Sequence, residues 1–284
     1  MSRQPRIDFP GATHHVVNRG VDHHTIFYSD TDRAEFGRLI VEIHERFGVI
    51  VLAYCLMDNH YHLVIRDEDG HLSAAMQHLQ SVFAMHVNER HARDGHLFKG
   101  RFFSTVVSDD AYLLTVIPYV ERNALDLPGI IRPSDYRWSS HRRHLGLRQA
   151  APWLDTSFVL GCFGGLDAYR RAVDRNHSDQ SEPARLEVGH LDNFARLAVA
   201  LHAPDHVNPA QLNRTIATAL IPELNGPNRA LLSDALGFTS RRAALQATSR
   251  AQRRLSADPT LTAARDELRR LLFESSAHSM RLAS

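Results

Sequence analysis

The chain has 284 residues, of which 33 are basic and 32 acidic, so its formal net charge is only +1. A hydrophobic share of 43% can build one large or two small cores, which excludes a wholly disordered chain. The longest apolar run, residues 49–57, is about half as long as a membrane span, and no apolar segment follows the charges of residues 1–6. We therefore expect a soluble, cytoplasmic protein without a membrane partner. Cys55 and Cys162 lie far apart and fit neither a disulfide framework nor a zinc ribbon.

The first half of the chain alternates short apolar runs with segments of helical spacing. Strands are predicted at residues 13–18, 49–57, 60–66 and 102–107. Helices are predicted after Asp30 or Thr31, at residues 72–91, and after Asp109-Asp110. The order strand, helix, strand, strand, helix, strand predicts an α+β, ferredoxin-like antiparallel sheet followed by one further helix.

His60-Tyr61-His62 is the only His-x-His sequence in the chain and opens the third predicted strand directly after a turn. Alternate residues of a strand point to the same face, so His60 and His62 would present two imidazoles side by side. Such a pair can bind a cation, although a His-x-His taken alone is more often two solvent-facing histidines.

Tyr119 and Asn123 lie four residues apart on the last predicted helix of this half, so they share one helical face. Facing the imidazoles, Tyr119 would supply a nucleophile and Asn123 an oxygen ligand. A divalent cation would polarise a phosphate there, and these ligands do not decide between Mg²⁺ and Mn²⁺. Tyr112, seven residues earlier on roughly the same face, is the alternative nucleophile.

Six motifs follow one another between about residues 12 and 175. They are Asn18-Arg19-Gly20, Ile26-Phe27, residues 57–63, residues 95–102, Tyr119-Val120-Glu121-Arg122-Asn123 and Tyr136-Arg137-Trp138-Ser139-Ser140. The ordered set resembles the single-tyrosine HUH transposases, which are IS200-like, and in particular the REP-associated tyrosine transposases.

The resemblance implies a DNA transposase that cleaves and rejoins single-stranded DNA near hairpins through a 5′-phosphotyrosine. By matching motifs, Tyr119 would be the nucleophile, and His60, His62 and Asn123 the ligands of Mg²⁺ or Mn²⁺. The family usually has a proline directly after this asparagine, whereas here Ala124 follows Asn123 and Pro118 precedes the tyrosine. Loss of that proline could extend the helix, and Pro118 could kink it or mark a late start.

Basic residues are locally concentrated although the whole chain is nearly neutral. Residues 132–148 contain five arginines and one acidic residue, and residues 229–254 contain six arginines and one acidic residue. Such stripes fit a protein that docks nucleic acid on chosen faces. The candidate DNA-binding residues are Lys99, Arg101, Arg142, Arg143, Arg241, Arg242 and Arg250. Lys99-Gly100-Arg101 could equally be a solvated turn, and Trp138 is interpreted as core packing.

The second half of the chain has only helical patterns beyond a polar segment. We predict an HUH domain at 1–175, a linker at 176–188 and an all-α module at 189–284. A short helix, the turn Gly237-Phe238 and a basic helix capped by Thr239-Ser240 indicate a helix-turn-helix that loosely resembles the carboxy-terminal domain of the DnaA initiator. A helical bundle with a merely solvated basic face is the alternative.

Two other functions stay open at this point. One is a metal-dependent phosphodiesterase that activates water, and the other is a catalytically inert hairpin-binding protein. Single-stranded and hairpin DNA are the expected partners, and a homodimer is left open because the sequence does not show whether one chain completes the active site.

Overall fold

The structure is a computed structural model, and it describes residues 9–107, 110–174, 188–203, 209–224 and 226–279. The chain divides into two compact units, Met1–Arg175 and Asn176–Ser284. Of the linker predicted at 176–188, only Val188 lies within the described residues. No helix in the described ranges is long and apolar enough to cross a membrane.

The first unit is built on a four-stranded antiparallel sheet with the order β2-β3-β1-β4. Its elements are β1 (Ala12–Arg19), α1 (Asp30–Phe47), β2 (Val49–Leu56), β3 (His60–Asp67), α2 (Leu72–Arg90), β4 (Phe103–Val106) and α3 (Asp110–Arg122). This order and topology confirm the predicted ferredoxin-like α+β fold with an added helix.

The predicted start of α1 was wrong by one or two residues. Ser29 is the N-cap, because its hydroxyl accepts a hydrogen bond from the Asp32 amide at 3.2 Å. The Asp32 carboxylate accepts in return from the Ser29 amide at 2.9 Å, which completes a capping box. Asp30 and Thr31 are therefore the first two residues inside the helix.

Strand alternation divides the two faces of the sheet between different partners. Tyr61, Leu63 and Ile65 of β3 join a buried core with residues of α1 and α2, including Phe36 and Phe83. The alternate residues of β3 point to the opposite face, where α3 packs on β2 and β3. The histidine pair therefore lies on the α3 face.

The helix α3 runs without a break through Pro118, so this proline does not mark a late start. The α-helix ends at Arg122, and residues Asn123–Asp126 continue as a 3-10 turn in which Ala124 is fully buried. The α-helix is thus not extended, and Asn123 opens the following turn rather than lying inside the helix. The predicted cap Asp109 lies outside the described residues.

Segments that follow α3 return to the outer edge of the sheet. The amides of Val51 and Leu56 on β2 donate to Trp153 O and Trp138 O, at 2.9 and 3.0 Å. Three short helices belong to this region, α4 (His141–His144), α5 (Thr156–Cys162) and α6 (Leu166–Val173). These contacts hold the return segments against the edge strand β2.

The second unit is helical throughout its described residues, which confirms the predicted all-α region. Its helices are α7 (Val188–His202), α8 (Pro209–Leu220), α9 (Gly226–Ala235), α10 (Arg241–Ser256) and α11 (Pro259–Ser279). Leucines of α8 and α11, such as Leu212, Leu220, Leu268 and Leu271, are buried in its core.

Candidate active site

The two histidines of the His-x-His motif lie side by side at the start of β3. The rings of His60 and His62 have centroids 5.0 Å apart, and His62 is fully buried while His60 is partly exposed. The β1–β3 register places His60 opposite Arg19 and His62 opposite Val17. A two-residue spacing on a strand is the local reason why both rings share the α3 face.

Tyr119 of α3 reaches the same place from above the sheet. Its ring meets the His62 ring edge-on with a centroid distance of 5.4 Å. Only 1% of Tyr119 is exposed, so its ring is packed between α3 and the sheet. The structure therefore brings the candidate nucleophile and one candidate ligand into contact.

Asn123 is joined to the tyrosine through the backbone. Its side-chain nitrogen Nδ2 donates to Tyr119 O at 2.8 Å, and the residue is 1% exposed. This hydrogen bond spans four residues, so the predicted stacking of the two positions holds although Asn123 has left the α-helix. With Nδ2 used as a donor, Oδ1 is the amide atom suited to a cation.

His15 is a component of this site that sequence reasoning left unassigned. Its Nε2 lies 3.1 Å from His62 Nδ1, and the two rings stack with centroids 5.3 Å apart. Its ring also meets Tyr119 edge-on at 5.7 Å. Strand alternation in β1 puts His15 and Val17 on one face and is the sequence signal that could have found His15. Only the register with β3 shows that this is the face that carries His62.

The donor set fits a divalent cation. His60 Nδ1 lies 2.7 Å from Asn59 Oδ1 and His62 Nδ1 lies 3.1 Å from His15, so Nε2 is the atom with which each ring would bind metal. Two imidazole nitrogens and an amide oxygen suit Mn²⁺ readily and Mg²⁺ less well. In the described ranges no group of three or more His, Cys, Asp or Glu is arranged so that it could hold a metal ion, and the predicted set contains only two such residues.

The segment Lys99-Gly100-Arg101 lies beside the strand end that carries His60. The Lys99 amide donates to Arg19 O at 3.0 Å, and Gly100 O accepts from the Asn18 side chain at 3.0 Å. Arg19 is the register partner of His60, whereas the Arg101 side chain is exposed. These positions put two cationic residues at the edge of the candidate site.

Arg142 and Arg143, two other candidate DNA-binding residues, contact the protein itself. Arg142 donates to Ser134 O at 2.9 Å, and Arg143 donates to Gln149 O and lies 5.7 Å above the Trp153 ring. Both side chains are partly buried. These contacts hold both side chains against the return segments, and the role of Arg142 and Arg143 in DNA binding stays a prediction.

A buried polar cluster around Glu121 lies beside Tyr119 and Asn123 in the sequence motif and was not recognised from the sequence. The Glu121 carboxylate accepts from Ser140 Oγ at 2.6 Å and from Tyr169 OH at 3.3 Å, and lies 3.6 Å from His144 Nε2. His144 Nε2 also lies 3.0 Å from Leu52 O. Burial raises the pKa of Glu121 to about 7 and lowers the pKa of His144 to about 4, so the cluster anchors this end of the motif mainly as neutral groups.

In the second unit, α9 and α10 are joined by a turn at Gly237, whose φ is 70°. Ser240 caps α10, since its hydroxyl accepts from the Ala243 amide at 3.2 Å. The side chains of Arg242, Arg250, Arg253 and Arg254 are exposed, and α10 contains no acidic residue. The side chain of Arg241 lies outside what the structure describes.

Part of the first unit is similar to a known protein family. Residues 9–123 match the family model described as transposase IS200 like, and this range contains His60, His62, Tyr119 and Asn123. The match confirms the resemblance to IS200-like transposases that the motifs predicted.

One solved structure similar to this chain is that of a REP-associated tyrosine transposase bound to a REP hairpin. The two sequences are 15% identical, the match covers 55% of this chain and 94% of the other chain, and the TM-score is 0.45. Among curated proteins, no sequence matches this chain.

Proposed function

We propose that the chain is a single-tyrosine transposase that cleaves and rejoins single-stranded DNA near hairpins, with Tyr119 as the nucleophile and His60, His62 and Asn123 as ligands of Mn²⁺ or Mg²⁺. The observation that carries the proposal is the contact of the Tyr119 ring with His62, 5.4 Å between centroids, inside the part of the chain that matches the IS200-like transposase family model. A tyrosine and an imidazole pair in contact are the parts that a metal-assisted transesterification needs.

The chemistry follows from these side chains. Tyr119 Oη loses its proton and forms a bond to phosphorus, while the bond from phosphorus to the 3′ oxygen of the neighbouring nucleotide breaks and leaves a 3′ hydroxyl. The 5′-phosphotyrosine keeps the phosphodiester energy, so a 3′ hydroxyl of another strand can displace Tyr119 and join the ends. A bound divalent cation supplies charge stabilisation at the phosphate oxygens. Lys99 and Arg101 hold the strand through its phosphates.

The burial of the site favours a second candidate, an inert hairpin-binding domain. Tyr119 is 1% exposed and His62 is fully buried, so neither side chain is open to a phosphate in this conformation. A domain that keeps this conformation binds DNA without cutting it. The two functions differ in whether DNA becomes attached to the protein.

The Tyr119→Phe substitution tests the nucleophile. Phenylalanine keeps the packed ring but has no hydroxyl, so we expect covalent DNA adducts to disappear while DNA binding stays nearly unchanged. The measurement is a denaturing gel with peptide mass mapping after incubation with Mn²⁺ and a library of single-stranded DNA carrying 5′ hairpins.

Tyr112→Phe is the matched control, because Tyr112 is also a fully buried tyrosine of α3. It should keep the adduct. An adduct that survives in Tyr119→Phe and is absent from Tyr112→Phe would transfer the nucleophile to Tyr112. Cut DNA without any adduct would favour a hydrolase that activates water, and intact bound DNA would favour the inert domain.

Substitution of either His60 or His62 by alanine tests the metal. One imidazole and one amide hold a cation poorly, so metal-dependent cleavage should fall below detection in both variants. The assay is cleavage of the same library across a Mn²⁺ titration. Cleavage by the unmodified protein in excess chelator would refute the metal assignment.

The second unit is proposed to hold duplex or hairpin DNA through α10. Its support is the run of exposed arginines Arg242, Arg250, Arg253 and Arg254 on a helix with no acidic residue, after a turn at Gly237. Such a helix suits the phosphates beside a major groove.

A further inference from the structure

We propose that His15 is a positioning residue, which holds His62 in the tautomer that binds a divalent cation through Nε2. The inference rests on the proposed metal site and adds a residue to it that touches neither the cation nor the DNA. His15 and His62 form a side-by-side pair of buried imidazoles on the neighbouring strands β1 and β3.

The geometry of the pair is that of a direct hydrogen bond between two rings. His15 Nε2 and His62 Nδ1 are 3.1 Å apart, the rings are stacked with an interplanar angle of 26°, and both residues are fully buried. Their positions are fixed by the sheet, because His15 pairs with Val64 and Val17 pairs with His62 in the antiparallel register. Neither ring can turn away without breaking this buried hydrogen bond.

The chemistry of metal binding sets the direction of that hydrogen bond. An imidazole that binds a cation through Nε2 keeps its proton on Nδ1, and this proton needs an acceptor when the ring is buried. His15 Nε2 is positioned as that acceptor, so His15 carries its own proton on Nδ1. This acceptor on β1 selects that tautomer of His62.

His60 has the corresponding arrangement with a different partner. Its Nδ1 lies 2.7 Å from Asn59 Oδ1, while Asn59 Nδ2 donates to His23 O at 3.2 Å. The second bond fixes which end of the amide is the oxygen, and an amide oxygen can only accept. Both imidazoles are therefore held with a proton on Nδ1, which leaves Nε2 of each ring as the metal-binding atom.

Two other roles for His15 make different predictions. The ring lies 5.7 Å from that of Tyr119, so His15 could instead take the phenolic proton, in which case its removal would slow cleavage without changing metal affinity. A residue that only fills space would be replaced by phenylalanine at no cost to metal binding. Metal affinity in the absence of DNA therefore separates the three roles.

The test is Mn²⁺ binding to the full chain without DNA, measured by the electron paramagnetic resonance signal of free Mn²⁺, with pulsed spectroscopy to detect imidazole nitrogen on the bound ion. His15→Phe should weaken Mn²⁺ binding by about 10- to 100-fold, as is typical when the hydrogen-bond partner of a metal-binding histidine is removed. His15→Gln should keep most of the affinity, because its amide oxygen reaches close to the position of Nε2. His15→Asn is too short and should behave like His15→Phe.

His14→Phe is the matched control, since His14 is also fully buried but pairs with Ile65 and lies on the opposite face of the sheet. It should leave Mn²⁺ affinity unchanged. Thermal unfolding of every variant shows whether it is folded. If His15→Phe is not folded, the difference in Mn²⁺ affinity between His15→Gln and His15→Asn tests the role of His15.

The outcomes separate the two proposals. An unmodified protein that binds no Mn²⁺ overturns the metal site and the role of His15 together. Binding that is equal in the unmodified protein and in all folded His15 variants overturns the role of His15 alone. Slower cleavage with unchanged Mn²⁺ affinity also overturns it and assigns His15 to proton transfer.

Discussion

At the scale of single residues, we expect the buried cluster around Glu121 and His144 to make the stability of the first unit depend on pH in two opposite directions. Burial raises the pKa of Glu121 to about 7, above its ordinary 4.5, and lowers the pKa of His144 to about 4, below its ordinary 6.5. Both groups are therefore neutral in the folded protein between pH of about 4 and 7. The unfolded chain ionises each of them inside this window, and ionisation of the unfolded chain lowers stability.

The two substitutions Glu121→Gln and His144→Gln separate these effects. Glu121 lowers the free energy of unfolding as pH rises from 4.5 to 7, because it ionises in the unfolded chain first. The free energy of unfolding of Glu121→Gln should therefore increase relative to that of the unmodified protein as pH rises. His144 lowers the free energy of unfolding as pH falls from 6.5 towards 4. The free energy of unfolding of His144→Gln should therefore increase relative to that of the unmodified protein as pH falls. Each gain approaches about 3 kcal/mol at most, as an order of magnitude.

Urea unfolding followed by tryptophan fluorescence measures these gains in the right part of the chain. Both tryptophans, Trp138 and Trp153, belong to the first unit, so the signal reports on its unfolding. Gains of the same sign in the two variants, or gains that do not depend on pH, would show that burial does not set these pKa values.

Single residues also show where sequence reasoning stops. His60 and His62 were placed on one face correctly, because alternate residues of a strand point to the same face. His15 and Glu121 were missed as parts of the site, because their partners are 47 and 19 residues away and depend on strand register and on the return segments. The roles of His60, His62, Tyr119 and Asn123 stay predictions.

At the scale of elements, α1 shows how glycine conformation fixes a helix end. Gly48 follows the helix with φ of 66°, and its amide donates to His44 O at 3.1 Å. A Cβ at Gly48 would lie 2.4 Å from an Asp69 oxygen, whereas a Cβ at Gly37 inside α1 meets nothing within 4 Å. The same substitution should therefore have opposite effects at the two positions.

We expect Gly48→Ala to destabilise the first unit by about 1 kcal/mol or more, because alanine is strained at positive φ. Gly37→Ala should stabilise it by about 1 kcal/mol through helix propensity alone. Urea unfolding with tryptophan fluorescence checks both. A stabilising Gly48→Ala would mean that the chain after α1 rearranges and that the left-handed conformation is not required.

The elements of the first unit were predicted well because their signals are local. The apolar periods fixed the strands and helices to within one or two residues, and the order of elements then fixed the sheet topology. The register shift in β2 between Val51 and Ala53 was not predictable, because it depends on pairing with β3. The 3-10 turn that begins at Asn123 was not predicted either, because it depends on the burial of Ala124 in the folded protein and not on helix propensity.

At the scale of the whole molecule, the chain joins a unit that is similar in part to IS200-like transposases to a helical unit whose function is a separate question. The family match ends at residue 123, so it says nothing of Asn176–Ser284. The helical pattern of that unit was predictable from leucine spacing, for example Leu212 and Ile216 in α8. DNA binding by its basic helix α10 depends on the charge and exposure of the arginines, and binding measurements test it directly.

The salt dependence of DNA binding tests α10 against a control of equal charge. Each phosphate that the protein no longer neutralises should reduce the slope of log K against log salt by about 0.9, so Arg242→Gln combined with Arg250→Gln should reduce it by about 2 for hairpin DNA. The control combines Arg265→Gln with Arg269→Gln on α11, where both arginines pair with Glu223, at 3.3 and 2.7 Å. It removes the same charge and should leave the slope nearly unchanged, because these arginines already have a carboxylate partner. Equal slopes in the unmodified protein and in the α10 variant would assign the arginine face to solvent, while equal reductions in both variants would show a general effect of net charge rather than a docking helix.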